Sequence, residues 1–138
     1  EILQSQSTSN PTSISQVAAE AALSGDQTCM EPMIKAFRER HAYVVKSFNE
    51  IPGLSCIEAE GAFYAFPDAR KAIESLFNKK ILKEKNDLAL ADYLLEKEGV
   101  AVVPGSAFGA EGYFRISFAT SMKNLTEALT RIKRALSV

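Results

Sequence analysis

One arginine stands where its type and its neighbours can do chemistry. The stretch Val100–Thr120 reads VAVVPGSAFGAEGYFRISFAT. Within it, Tyr113–Ala119 alternates: Phe114, Ile116 and Phe118 fall on one side, Tyr113, Arg115 and Ser117 on the other. That two-residue period predicts a strand with one buried face. Arg115 is then held between two hydroxyl-bearing residues, on the face away from the aromatic side. A guanidinium fixed this way presents a planar fork of donors that matches a carboxylate. The plainer reading is a strand arginine that faces water, as most arginines do.

The other candidates carry less. Gly105, Gly109 and Gly112 precede the strand and invite a phosphate-cradling reading. Such a loop must open a helix whose N–H groups face the anion. Here the glycines lead into a strand, no Gly-Lys-Ser/Thr is present, and the spacing is wrong for a dinucleotide site. Glu58 and Glu60 share one side of a possible strand extension but lack the partner that acid–base catalysis on a glycoside needs. His41, the only histidine, lies in an apolar helical stripe with no carboxylate or nucleophile nearby in sequence, and reads as a packed structural residue. Lys79, Lys80, Lys83 and Lys85 are interrupted by Glu84 and by apolar Ile81 and Leu82. Without stacking aromatics they read as a solvated loop face. Cys29 and Cys56 are too few for a disulfide framework or a zinc site and read as reduced thiols; no metal site is expected.

The elements that must position Arg115 follow from periodicity. Gln4–Ser9 is polar and Ser-rich, a linker by composition. Asn10-Pro11 signals a helix start, and the helix through Thr12–Leu23 carries Ile14, Val17, Ala18, Ala21 and Ala22 on its apolar side. From about Thr28 to Asn49, Met30, Met33, Ile34, Phe37, His41, Val44, Val45 and Phe48 form one continuous stripe. Pro52-Gly53 ends that helix. Leu54–Ile57 and Gly61–Phe66 are short strand candidates joined by a hairpin or a sharp reversal. Ala69–Phe77 and Asn86–Glu98 read as helices, the second turning Leu88, Ala91, Leu94 and Leu95 inward and stopping at Gly99. Val100–Val103 is a buried strand broken by Pro104-Gly105. Ser121 caps a final helix with a seam of Met122, Leu125, Leu129, Ile132 and Leu136. Segregated strand pairs with covering helices predict an α/β (α+β) two-layer domain.

Composition bounds the rest. The chain has 138 residues, enough to bury a real core. Sixteen basic and seventeen acidic residues leave a net charge of −1, so no global field recruits nucleic acid or an anionic membrane. No apolar run approaches a membrane span and no signal-peptide pattern opens the sequence. The chain begins Glu-Ile-Leu without a starting Met, as expected of a piece cut from a longer polypeptide.

Three stretches carry a resemblance: STSNPTSISQ at Ser7–Gln16, IPGLSCIEAEGAFYAFP at Ile51–Pro67, and GVAVVPGSAFGAEGYFRISFA at Gly99–Ala119. Together, in this order and spacing, they resemble the C-terminal portion of class I aminotransferases of fold type I, most like the prokaryotic aspartate aminotransferase branch. The resemblance covers essentially the whole chain. It implies a small C-terminal domain whose small sheet is covered by helices. Residues 1–27 would be the tail of the large cofactor-binding domain, and 28–138 the small domain with its long connecting helix. It implies an enzyme that uses pyridoxal 5'-phosphate to move an amino group between an amino acid and a 2-oxo acid, cytoplasmic and homodimeric. Arg115 matches the arginine that grips the substrate α-carboxylate, and Phe108 lies near the substrate. The family's cofactor-bearing lysine would precede Ser7. None of the ten lysines here stands in its motif, so no catalytic or cofactor-binding residue is assigned, and this fragment alone is expected to be inactive. The alternative is a non-catalytic, aminotransferase-like domain that keeps the arginine for ligand binding or regulation.

Overall fold

Polar composition does not prevent a helix near the start of the chain. In the computed structural model, which describes residues 2–137, helix α1 (Ile2–Ser7) occupies most of the expected linker. Neither Gly nor Pro interrupts it, and the Ser5 hydroxyl donates back to the Ile2 carbonyl at 2.9 Å. Glu1 and Val138, the outer ends of the two expected domains, lie outside the described residues. Helix α2 (Ser13–Ser24) is capped by Thr12 rather than Asn10: Thr12 is extended, at φ −64° and ψ 147°. Its Oγ1 accepts the Ser15 N–H at 3.3 Å, satisfying one orphan donor of the first turn. Its apolar side is not covered; no residue of α2 is buried. A 3₁₀ turn at Thr28–Met30 precedes helix α3 (Glu31–Asn49).

The chain separates into two compact units, Glu1–Lys35 and Ala36–Val138. In the second, α3 contributes Val44, Val45 and Phe48 to the core. Helix α4 (Arg70–Asn78) buries Ala72, Ile73 and Leu76. Helix α5 (Asp87–Glu98) packs against α4 and helix α6 (Met122–Leu136). α5 begins at the Asn86 cap and ends at Gly99, whose φ of 66° suits glycine. Its inward face differs from expectation: Leu90, Ala91 and Leu94 are buried, whereas Leu88 and Leu95 are exposed. α6 keeps its cap, Ser121 accepting the Asn124 N–H at 3.2 Å, and buries Leu125, Leu129, Ile132, Ala135 and Leu136. Met122 at its start is exposed.

Three strands form one antiparallel sheet in the order β1-β3-β2: β1 (Tyr64–Ala65), β2 (Val103–Pro104) and β3 (Phe114–Ser117). The register sets Tyr64 opposite Ser117 and Val103 opposite Arg115. The alternation expected of β3 holds, with Phe114 and Ile116 buried and Phe118 continuing the series. Phe114 meets Phe48 edge to face, ring centres 5.7 Å apart, a favoured aromatic geometry. Pro104 lies inside β2, opposite Phe114. β2 is an edge strand, where a missing N–H is tolerated. Leu54–Ile57 is not a strand; only Ser55 bridges, to Asp68. The Asn49 side chain takes both the N–H and the C=O of Cys56, at 2.8 and 2.9 Å, so those groups have no need of a ladder. The result is a mixed α/β unit in which the helices and the buried face of the sheet share one core.

Candidate functional site

β3 holds Arg115 as the alternation requires, its backbone paired to β2 and its side chain half-buried. The guanidinium carbon lies 4.3 Å from the Tyr64 ring centre and 4.5 Å from that of Phe108. Both are cation–π distances. Tyr64 comes from the neighbouring strand, opposite Ser117 and so two residues along the same face from Arg115. Phe108 comes from the 3₁₀ turn Gly105–Phe108 in the β2–β3 loop and is 50% exposed. Among the described residues, no hydrogen bond or ion pair engages the Arg115 guanidinium. Arg70, Arg131 and Arg134, by contrast, pair with Asp68, Glu127 and Glu98. A planar cation with aromatic faces against it and its N–H donors open is suited to an incoming carboxylate.

The neighbouring hydroxyls do not serve it. Ser117 Oγ accepts the Ala119 N–H at 3.3 Å. Tyr113 stacks on Phe66 at 5.4 Å and 14°, and its hydroxyl accepts from Arg70 at 3.5 Å. Phe66 also meets Phe108 edge-on at 6.1 Å, so the ring beside Arg115 is backed by a second layer of aromatics.

The backbone of the β2–β3 loop depends on its glycines. A Cβ on Gly105 would stand 2.2 Å from the Ala110 carbonyl oxygen. Gly112 has φ +81°, and a Cβ there would meet Arg70 Cγ at 2.4 Å. The glycines thus make a tight turn that brings Phe108 back to the sheet.

His41 Nε2 accepts the Ala59 N–H at 3.1 Å, and its ring lies 5.5 Å from Phe118. Cys56 is buried, which pushes its thiol pKa up, while Cys29 is exposed; both are free. Lys85 pairs with Glu74 at 2.6 Å. Among the described residues no cluster of His, Cys, Asp or Glu is placed to hold a metal ion, and no helix is long and apolar enough to cross a membrane.

Two participants were not found by pattern. Tyr64 belongs to the run GAFYAF, an aromatic signal whose partner is set only by strand order. Asp87 is buried at the start of α5 and accepts the Ser106 N–H at 2.7 Å. Its trace in the sequence is the pair Asn86-Asp87, two capping residues where one suffices.

The face fits one carboxylate and does not by itself fit pyridoxal phosphate. Arg115 brings one cation to it, and Arg70, over the Tyr113 ring, is already engaged by Asp68.

Comparison with known proteins agrees with the fold. Residues 1–132 match the family model described as aminotransferase class I and II. The aspartate/prephenate aminotransferase of Nitrosomonas europaea is 61% identical over 99% of the chain, which covers 34% of that protein. The aspartate aminotransferase of Bacillus subtilis is 47% identical over 96% of the chain, which covers 32% of it. The crystal structure of the aspartate aminotransferase from Rhizobium meliloti superposes with a TM-score of 0.82 and 42% identity, over 99% of this chain and 34% of that one. The chain belongs to the class I and II aminotransferases. It spans about a third of the length of the curated relatives it matches.

Proposed function

We propose that the chain is the C-terminal part of a pyridoxal-phosphate-dependent aminotransferase of the aspartate aminotransferase type, transferring an amino group between an amino acid and a 2-oxo acid. Residues 1–27 would complete the large domain and 28–138 form the small one, in a cytoplasmic homodimer. The chain's own contribution is Arg115, which grips the substrate α-carboxylate, with Phe108 at the border of the substrate. The observation that carries this reading is the half-buried guanidinium of Arg115, set against two aromatic rings with its donors unspent.

Pyridoxal phosphate, when bound, supplies an electron sink for the bonds of the substrate α-carbon. Arg115 fixes the carboxylate by two parallel hydrogen bonds, which sets the rotation of the α-carbon and so the direction of its C–H bond. The rings of Tyr64 and Phe108 displace water beside the guanidinium, which strengthens the charge pair. Assayed alone with added pyridoxal phosphate, the 138-residue chain is expected to be inert toward amino acids.

The test is Arg115→Lys in the whole enzyme. Lysine keeps the charge but loses the planar fork, so KM should rise and kcat fall together, roughly 30- to 1000-fold in kcat/KM for about 2–4 kcal/mol. An amine substrate without a carboxylate should be nearly indifferent. Equal losses toward both substrates would reject the clamp.

A further inference from the structure

At the start of α5, the Asn86 side chain accepts the Ala89 N–H at 2.8 Å and caps the helix. That leaves the next side chain, Asp87, free for another task. It is 1% exposed. Its Oδ2 accepts the Ser106 N–H at 2.7 Å and its Oδ1 the Gly112 N–H at 3.4 Å. These amides stand at the two ends of the β2–β3 loop, so one carboxylate gathers both. Between them lies Phe108, whose ring rests 4.5 Å from the Arg115 guanidinium carbon. Burial pushes the Asp87 carboxyl up, but hydrogen bonds from the Ser106 amide and hydroxyl, its own amide and the Gly112 amide outweigh it and hold the pKa below the usual value. The group is thereby kept as a pure acceptor for both ends of the loop.

We propose that Asp87 is a positioning residue for the carboxylate clamp: by tying both ends of the β2–β3 loop it holds the Phe108 ring against Arg115 and so aims the guanidinium fork. This rests on the reading of Arg115 given above. A purely structural Asp87 would stabilise α5 and the loop without regard to what Arg115 binds, and the two roles separate experimentally.

The experiment uses the whole enzyme with its cofactor, as the unaltered protein, Arg115→Lys, Asp87→Asn, Asp87→Ser and the Arg115→Lys/Asp87→Asn pair. Asparagine is nearly isosteric but sets an NH2 donor against one of the two amides. Serine keeps a single acceptor at the helix start. Kinetics are read with an amino acid and with an amine lacking the carboxylate, and the affinity for succinate, an unreactive dicarboxylate, is read by calorimetry. Asp87→Asn and Asp87→Ser should raise KM for the amino acid and the Kd for succinate roughly 5- to 30-fold, the scale of a lost charge-assisted hydrogen bond. Activity toward the amine should change by less than about two-fold, and the Asp87→Asn loss should shrink to a similar size on the Arg115→Lys background, since contacting residues are not additive. Multiplicative losses in the double variant, equal losses toward the amine, or failure of both Asp87 variants to fold would make Asp87 structural and overturn the proposal. If Arg115→Lys itself spares the amino acid and succinate, the clamp reading falls and the proposal with it. Normal Asp87 variants beside an impaired Arg115→Lys overturn the proposal alone.

Discussion

A buried carboxylate stays ionised only where donors replace its water, and Glu98 shows a second way of arranging this. At the C-terminal end of α5 the Arg134 guanidinium binds its carboxylate, and Arg131 Nη1 donates to its backbone carbonyl at 3.0 Å. The hydrogen bond from Arg134 is the main influence lowering the Glu98 pKa, and it prevails over burial. A folded value below the unfolded 4.5 means that the pair stabilises above that pH and is lost as acid carries the solution through the folded value. Glu98→Gln should therefore lower the urea midpoint at pH 7 and flatten its fall as the pH drops below the unfolded 4.5. An unchanged slope would show that the pair carries none of the acid sensitivity. Asp87 should add a similar loss below its ordinary 3.8. At this scale Arg115 was legible because strand alternation alone sets its side. Tyr64 was not, because nothing local says that β1 pairs with β3.

Backbone room and helix phase are decided by elements. Gly105→Ala must push a Cβ against the Ala110 carbonyl, while Gly61 has nothing within 4 Å. The first should cost about 1–3 kcal/mol by overpacking and the second stay within about 0.5 kcal/mol, read as urea midpoints. The phase of α5 gives a similar contrast. Leu90, 0% exposed, should cost about 2–5 kcal/mol as Leu90→Ala. Leu88, 54% exposed, should cost about 0.5 kcal/mol or less as Leu88→Ala. Reversal of that order would contradict the packing. Hydropathy misplaced the α5 stripe because two of its inward positions, Asp87 and Glu98, are charged. Gly99 and Ser121, whose capping roles depend only on local chemistry, were legible. The strand expected at Leu54–Ile57 does not form: Asn49 satisfies Cys56 from α3, a side-chain substitute for a ladder that the local sequence does not announce.

For the molecule as a whole, the first unit is marked by what it leaves uncovered. Ile14, Val17 and Leu23 on α2 are all exposed, as are Ile2 and Leu3 on α1. Apolar surface of this kind favours association. The isolated chain should sediment as concentration-dependent oligomers, and Val17→Glu with Leu23→Lys should shift it toward monomer. A strict monomer before substitution would count against the exposed face. In the second unit the strand order has a consequence for biosynthesis. The central strand of the sheet is β3, last of the three in sequence. During translation β1 and β2 are made first, and neither has its partner until Ser117 has left the ribosome. Tyr64, Phe108 and Arg115 emerge in that order, so the arginine is the final piece of its own surroundings. Until then Phe48 lacks Phe114, and the nascent chain presents unpaired edges and bare aromatic surface to chaperones.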